Sequence, residues 1–375
     1  MVFLDINTFF GPKAGGIRTY HQAKVDWFVS QSVHTYILIY PGDSYQVTQP
    51  APTVFLIQVY GIPLTRDRQG YRLILDYFRV GSWIRKSHPH VVEAGDAWLT
   101  SWFLLGLKAL GFWKGTLVSF YHSDPFPSYV IPWSQRGQAQ WLRRILAHSG
   151  GWLFDRVQKS FDWTVVASKN MEKVLHNREI HNLKRFPFGV QPAFFQVKRD
   201  HHAARCLYAG RLDGDKGVDL LLKILPSLLE AHPTLFITVA GRGALSQAFA
   251  SFHHPRYQFA GFVAGPEAMA NLYATHSIFL APGPFETFGL AILEAMAAGL
   301  IVIGPNAGGC GELLEEVQSP FAFPAGDSGV FQKQILGALA SDIPIWSLKH
   351  KQVALNYGPW DQAIGRMIAS WKETS

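Results

Sequence analysis

The sequence predicts an α/β fold with two tandem domains, each a parallel sheet between helices, that face a central cleft. Segments typical of strands and of helices alternate along the chain, which favours parallel sheets covered on both faces. This alternation starts again near residue 205, and 375 residues are too many for one typical core. We therefore predict an N-terminal domain at residues 1–190 and a C-terminal domain at residues 191–355. A last helix within residues 356–375 could pack back on the N-terminal domain.

The N-terminal domain opens with a strand, a glycine-rich loop, a helix and a second strand. We place these elements at Val2–Ile6, Gly11–Arg18, Thr19–Ser30 and Thr35–Tyr40. Gly15 and Gly16 in the loop would let the backbone approach a ligand closely, although an ordinary tight turn has the same sequence. Later in this domain His122 follows the predicted strand Thr116–Tyr121, where it could face a cleft and hydrogen-bond a hydroxyl. A helix-capping or core histidine is the alternative.

Two cations lie on the corresponding loop of the C-terminal domain. The predicted elements there are the strand Arg205–Ala209, the loop Gly210–Gly217, the helix Val218–Ala231 and the strand Leu235–Ala240. Arg211 and Lys216 stand before a helix start, where backbone amides and the helix dipole favour an anion, so a diphosphate is the natural ligand. Two solvated surface cations are the alternative. Asp213 and Asp215 match a DxD metal pattern, but the neighbouring cations would oppose a metal, and we interpret both as turn residues.

Two carboxylates eight positions apart mark the most informative stretch, Pro284–Gly299. The predicted elements around it are the strand Ser277–Ala281, the apolar helix Leu290–Ala298 and the strand Ile301–Ile303. Ligands of open α/β sheets bind at loops of this kind. Glu286 is on the loop, whereas Glu294 is inside the apolar helix, where an unpaired charge is costly. We therefore expect Glu294 to have a partner, for which a ligand hydroxyl is one candidate.

Composition and charge limit the classes of partner. The net charge is +7, with 21 Lys and Arg against 12 Asp and Glu in residues 1–190, which also contain nine of the twelve tryptophans. Basic residues with Trp are typical of an anionic membrane surface and, less so, of nucleic-acid binders. A soluble domain with Trp in its core is the alternative. For the amphipathic stretch Trp141–Leu146 we favour a domain helix with its apolar stripe in the core over an interfacial membrane helix.

The cysteines and the N-terminus give an expectation about location. Cys206 and Cys310 suit neither a disulfide framework nor a metal-binding spacing. The first residues do not have the pattern of a signal peptide, and no apolar run is long enough to span a bilayer. We expect a cytoplasmic protein, either free or peripheral on the inner face of the membrane.

These features together resemble the retaining glycosyltransferases of family 4, whose GT-B fold has two Rossmann-like domains. The signature E-x-F-G-x-x-x-x-E-A-M-A-x-G is matched by Glu286–Gly299, and G-R-x-x-x-x-K-G is matched by Gly210–Gly217. The resemblance covers nearly the whole chain, and its second half is the specific part. Two positions depart from the family pattern. The linker motif N-G-V-D is Phe188–Gln191 here, and Arg242 replaces an acidic residue in a G-x-G loop.

The resemblance implies a role for each candidate residue. Arg211 and Lys216 would bind the donor diphosphate and stabilise it as it leaves. Glu286 would bind hydroxyls of the donor sugar, Glu294 would hold the ribose hydroxyls, and His122 would contact the transferred sugar. The other implied donor-binding residues are Gly16, Gly241, Gly261, Phe262, Val263, Phe288, Gly289 and Leu290.

The implied function is the transfer of a hexose, with retention, from a UDP- or GDP-sugar to a glycan or lipid-type acceptor. The acceptor would bind the N-terminal domain and the nucleotide sugar the C-terminal domain. We expect no metal, no other cofactor and no nucleic-acid partner. A glycoside hydrolase also uses two carboxylates but has no need of two cations beside them. A non-catalytic nucleotide-binding protein is the second alternative, against which the carboxylate pair argues.

Overall fold

The computed structural model describes residues 1–11, 15–64, 72–96, 98–122, 124, 140–198 and 204–373. The chain separates into two compact units. The N-terminal unit consists of Met1–Pro187 and the segment from Asp361 onward, and the C-terminal unit consists of Phe188–Trp360. The division predicted from the sequence is at residue 190.

In the N-terminal unit the described residues form one sheet of nine strands. They are β1 Val2–Ile6, β2 Thr35–Gly42, β3 Gln46–Ala51, β4 Val54–Pro63, β5 Arg72–Ile74, β6 Val91–Ala94, β7 Thr116–Phe120, β8 Trp163–Val166 and β9 Leu183–Arg185. The order is β3-β4-β2-β1-β6-β7-β8-β9, with β5 beside β4. Strands β3 and β5 run antiparallel to β4, and the other pairs are parallel. The near-continuous burial of β1, β2 and β6 is typical of central parallel strands.

Helices cover this sheet, and the first of them differs from the prediction. In the described part of the unit they are α1 Gly15–Gln31, α2 Tyr77–Ser87, α3 Leu99–Ala109, α4 Gln140–Lys159 and α5 Lys169–Asn177. Because α1 begins at Gly15, the predicted loop through Arg18 is wrong, and Gly15 and Gly16 lie in the first helical turn. The first amides of a helix need no partner within the helix, so glycine is tolerated there. Residues 12–14 of the predicted loop lie outside the described residues.

The apolar residues at the start of α4 do not lie in the core. Trp141 is 68% exposed, Ile145 53% and Leu146 54%. Our expectation that this stripe is buried is therefore wrong. The helix packs instead through residues nearer its end, because Phe154 and Val157 are buried.

The C-terminal unit has one sheet of six strands, all parallel. They are β10 Arg205–Arg211, β11 Phe236–Arg242, β12 Tyr257–Gly261, β13 Ile278–Leu280, β14 Ile301–Pro305 and β15 Ala322–Phe323. The helices of this unit within the described residues are α6 Pro192–Phe195, α7 Val218–Ala231, α8 Ser246–Ser251, α9 Pro266–Ala274, α10 Leu290–Ala297, α11 Gly308–Val317, α12 Ser328–Leu339 and α13 Ile343–Tyr357. The strand order β12-β11-β10-β13-β14-β15 is that of a doubly wound dinucleotide-binding sheet.

The chain order reverses between β10 and β13 of this sheet. Loops that leave the carboxyl ends of two such strands diverge to opposite faces and leave a crevice, which is where open α/β sheets bind ligands. The crevice therefore lies beside the loop after Arg211 and the loop after Leu280.

The last helix, α14, spans Trp360–Lys372. Its buried residues Ile364, Met367, Ile368 and Trp371 form the apolar face that the sequence predicts. From Asp361 onward the chain belongs to the N-terminal unit, where the Trp371 ring lies 5.5 Å from that of Phe186. Among the described residues, helices that combine the length and the hydropathy needed to cross a bilayer are absent.

Candidate functional site

The two predicted motifs of the C-terminal unit meet at the reversal of strand order. The Lys216 Nζ atom donates a hydrogen bond to Glu286 Oε1 over 2.7 Å, although the two residues are 70 positions apart. Gly217 makes this approach possible because its φ is +61° and a Cβ there would lie 2.5 Å from the Pro282 carbonyl oxygen. A larger residue at position 217 would push the two loops apart. The contact thus joins a predicted phosphate-binding cation to a predicted sugar-binding carboxylate.

Arg211 is held by two aspartates. It is the last residue of β10 rather than a loop residue, and its guanidinium donates to Asp213 and to Asp215, each over 2.6 Å. The Asp213 carboxylate also accepts a hydrogen bond from the Ala244 amide over 2.8 Å, which ties the loop to the end of β11. Both aspartates are predicted from the sequence as turn residues, so their hydrogen bonds with Arg211 were not expected. Their spacing from Arg211, two and four positions, is the signal that could have found them.

The Glu286 loop is fixed by the start of α11. The Gly309 amide donates to the Glu286 carbonyl oxygen over 2.6 Å, and a Cβ on Gly309 would lie 2.5 Å from the backbone of Phe288. Gly289, with φ of +85°, ends the loop, and its carbonyl accepts the Leu293 amide in the first turn of α10. The side chain of Phe288 is buried, so a role for this residue at a ligand is limited to its backbone.

Leu290 is the first residue of α10, and Glu294 follows one turn later. The Glu294 side chain is partly buried, and within the described residues no hydrogen bond or ion pair involves its carboxyl group. Burial raises the pKa of Glu294 from 4.5 to about 8. The carboxyl group is therefore mostly protonated near neutral pH, which is the usual response of a desolvated acid without a charge partner.

We expect Glu294→Gln to stabilise the protein, and more so at higher pH. The unfolded carboxyl group ionises near pH 4.5 and the folded one near pH 8. The protonated Glu294 side chain therefore contributes fully to the free energy of unfolding below pH 4.5, and this contribution is lost as pH rises through 8. Glutamine has no proton to lose, so the variant keeps its stability over the same range. Urea unfolding at pH 5 and at pH 8.5 should show the advantage of the variant growing by about 4 kcal/mol.

Glu315→Gln is the matched control, because Glu315 is exposed on α11 of the same unit and has little desolvation to relieve. If Glu294→Gln and Glu315→Gln follow the same pH dependence, the assignment of a desolvated Glu294 is wrong.

The ends of β11 and β12 place an arginine on an aromatic ring. The Arg242 guanidinium lies 4.3 Å from the centre of the Phe262 ring, and Phe262 is 57% exposed. Gly241 has φ of +149°, and a Cβ there would lie 1.9 Å from the Gly210 carbonyl oxygen, so only glycine fits. Gly261 ends β12 with φ of +65°, and Val263 follows with a partly exposed side chain. An exposed ring backed by a guanidinium can stack on a planar base.

In the N-terminal unit His122 follows β7 and is half-buried. Its ring stacks on that of Phe120 with 4.4 Å between centres and 5° between planes. Burial, and then the charges of His21 and Lys24, hold the pKa of His122 well below its usual range. The imidazole is therefore neutral and can exchange hydrogen bonds with a hydroxyl without acting as a cation. Gly16 is an exposed residue of α1 in this same unit.

Beside His122 lies a buried charge network that the sequence analysis misses. The Lys24 Nζ atom donates to Asp5 over 2.5 Å and to Glu93 over 3.0 Å, and all three residues are buried. Burial alone would raise the pKa of Asp5, but Lys24 and His21 outweigh it and the pKa falls to about 2. Burial, and then the charge of Asp5, raises the pKa of Glu93. Asp5 in β1 and Glu93 in β6 each interrupt an apolar parallel strand. Because a buried charge needs a partner, these two positions could have predicted the network.

Three donors of this region are close enough to suggest a metal. The side-chain donor atoms of His21, Glu93 and His122 lie within 4.8 Å of one another. However, the Lys24 ammonium group is 3.0 Å from Glu93, and the His21 ring is 2.8 Å from the Asn7 amide and 3.2 Å from Asp5. A fixed ammonium charge opposes a second cation, and His21 already has partners on both ring nitrogens. These residues fit a hydrogen-bonded ion cluster better than a divalent metal.

Comparison with known proteins gives a family for part of the chain. Residues 203–341 match the family model described as glycosyl transferases group 1. The chain is 26% identical over 321 residues to a GDP-mannose-dependent alpha-(1-6)-phosphatidylinositol dimannoside mannosyltransferase of Mycobacterium tuberculosis, covering 80% of this chain and 78% of that protein.

Solved structures share the fold. Sucrose-phosphate synthase from Thermosynechococcus elongatus superposes with a TM-score of 0.75 at 18% identity, and each chain is covered completely. Anabaena Alr3699/HepE in complex with UDP superposes with a TM-score of 0.67 at 16% identity over 99% of this chain and 100% of that one. Residues 203–341 therefore carry a glycosyl transferases group 1 domain, and the chain has the GT-B fold that these solved structures share.

Proposed function

We propose that this protein is a glycosyltransferase that moves a hexose from a nucleotide diphosphate sugar to a glycan or lipid-type acceptor, with retention of configuration and without a metal. The contact between Lys216 and Glu286 at the strand-order reversal carries the proposal. It supports the proposal because the Lys216 ammonium group would face a leaving phosphate, while the Glu286 carboxylate beside it would bind sugar hydroxyls. A glycoside hydrolase needs no such cation, because its leaving group is not a diphosphate.

In the proposed reaction the bond between the sugar C1 and the phosphate oxygen breaks while negative charge grows on the diphosphate. Lys216 and the Arg211 guanidinium, which Asp213 and Asp215 orient, would stabilise this charge. Such preorganised groups act where charge develops in the transition state. The leaving phosphate would accept the proton of the acceptor hydroxyl as the acceptor oxygen joins C1 from the same face.

The remaining residues would bind the rest of the donor. Glu294 would accept hydrogen bonds from the ribose hydroxyls, and the exposed Phe262 ring would stack on the base. Because free Glu294 is largely protonated near neutral pH, nucleotide binding that uses its carboxylate should release a proton. The neutral His122 would hydrogen-bond the transferred sugar from the N-terminal unit.

The donor is tested first with GDP-mannose, because the Mycobacterium tuberculosis relative is named for it, and then with UDP-glucose and UDP-galactose. The protein is incubated with each sugar nucleotide and a panel of glycan and glycolipid acceptors, in the presence and absence of EDTA. We expect acceptor-dependent release of nucleoside diphosphate that EDTA leaves unchanged, and a product with the anomeric configuration of the donor by NMR. Glycoside cleavage without nucleotide release would refute the proposal, and an inverted product would refute its retaining part.

A further inference from the structure

An aromatic and basic surface lies on the N-terminal unit, and none of its residues has been assigned a role above. It consists of Trp141, Ile145 and Trp152 with Arg144 and Arg156, all of them exposed residues of α4. Trp141 is 68% exposed and Trp152 60%. Two solvent-exposed indole side chains on one helix are unusual, because burial of a large apolar side chain contributes most to folding stability. We call this set the α4 surface.

The three apolar residues form one line along the helix. Ile145 and Trp152 follow Trp141 by four and eleven positions, which are about 1.1 and 3.1 turns of an α-helix. The buried residues Phe154 and Val157 point to the opposite side. The α4 surface is therefore the solvent side of a helix whose other side already packs on its own unit.

The charge of the helix is almost entirely positive. Arg143, Arg144, Arg156 and Lys159 are its cations, and its acid, Asp155, is paired with Arg178. The Arg156 guanidinium lies 5.3 Å from the centre of the Trp152 ring, which keeps a cation at the edge of the apolar line. Apolar residues with Trp on one face and arginines beside them are typical of a helix that lies in the interface of an anionic bilayer.

The position of the helix relates this surface to His122. Strands β7 and β8 are parallel neighbours, and α4 connects to the start of β8. A helix in such a crossover runs antiparallel to the strands, so Trp141 lies toward their carboxyl edge, the edge at which His122 follows β7. Trp98, 46% exposed after β6, is at that edge too, and its ring lies 6.1 Å from that of Phe154 in α4.

We propose that the α4 surface docks on an anionic lipid bilayer. The two indoles and Ile145 would enter the boundary between headgroups and acyl chains, while Arg144 and Arg156 would meet lipid phosphates. We favour a bilayer over a protein partner, because a line of indoles with arginines beside it suits the apolar and anionic layers of a membrane interface. The purpose of this docking rests on the proposed function. A bound bilayer would bring the edge of the sheet at which His122 lies to a lipid-type acceptor.

Flotation with vesicles tests the docking without any transfer reaction. The full chain is floated with phosphatidylcholine vesicles and with vesicles that contain phosphatidylglycerol in addition. We expect binding to the anionic vesicles only, weakened at high salt. Trp141→Ala with Trp152→Ala, and separately Arg144→Glu with Arg156→Glu, should each weaken the partition by at least about tenfold.

Matched controls remove exposed groups of the C-terminal unit. Ile345→Ala with Leu348→Ala removes two exposed apolar side chains, and Lys223→Glu with Lys333→Glu makes the same change in net charge. Absence of wild-type binding to anionic vesicles, or equal losses in the controls, would overturn the docking. Release of nucleoside diphosphate with a water-soluble acceptor should be unchanged in Trp141→Ala with Trp152→Ala. Failure of that reaction in the wild type would count against the proposed function and leave the docking result standing.

Discussion

Glu286→Ala and Lys216→Ala are each expected to lower turnover by about 100–1000-fold or more, because each removes a preorganised group at the proposed reacting centre. The loss should appear in kcat, measured as release of nucleoside diphosphate with saturating donor and acceptor. The fold should survive both changes, since the two side chains are only partly buried in the C-terminal unit. Unchanged thermal unfolding, followed by circular dichroism, would establish this.

The two variants should not act independently. Lys216 and Glu286 share a hydrogen bond, so removal of either leaves the other without its partner in the free enzyme. We expect the double variant to be hardly slower than the slower single variant. Lys223→Ala and Glu230→Ala, which remove exposed charges from α7, serve as controls and should keep wild-type rates. A rate near that of the wild type for Glu286→Ala or Lys216→Ala would refute the assignment of that residue.

Lys24→Met should have the largest effect on stability. The change would leave the ionised carboxylate of Asp5 buried beside Glu93 without its ammonium partner. Removing one member of a buried ion pair typically costs about 3–5 kcal/mol. Denaturant unfolding of the wild type and the variant, at a pH well above the Asp5 pKa of about 2, measures the loss.

Lys159→Met is the control for this prediction. Lys159 pairs with Glu179 over 3.2 Å on the surface of the same unit, and an exposed pair contributes less than about 1 kcal/mol. Combining Lys24→Met with Asp5→Asn should recover part of the stability, because the second change removes the orphaned charge. A loss in Lys24→Met no greater than that in Lys159→Met would show that the buried network contributes little.

Much of the fold could be predicted because parallel sheets have a clear sequence pattern. The helix Val218–Ala231 has the predicted bounds, since a strand-end loop and a regular apolar repeat fix both of its ends. The two tandem α/β sheets with the GT-B fold confirm the predicted fold class. The approach of Lys216 to Glu286 could be expected as well, since both follow strands of one sheet.

The errors have physical causes. Burial of the α4 stripe was predicted from helical periodicity, but periodicity shows that a face is apolar and not what covers it. Gly15 and Gly16 were assigned to a loop by propensity, which is weak at a helix start. The hydrogen bonds from Arg211 to Asp213 and Asp215 depend on how the chain turns after β10. The residue types at these positions do not predict that turn.

The reversal of strand order also determines when the proposed donor site can form during synthesis. Residue 216 leaves the ribosome 70 residues before Glu286, and β10 must wait for β13 to arrive beside it. Contacts between residues far apart in sequence form late, because bringing them together costs the intervening chain conformational entropy. A nascent chain that stops before β13 has β10, α7 and β11 but cannot bring the Lys216 ammonium group to the Glu286 carboxylate. Nucleotide affinity of the growing chain should therefore appear abruptly once β13 and α10 have emerged.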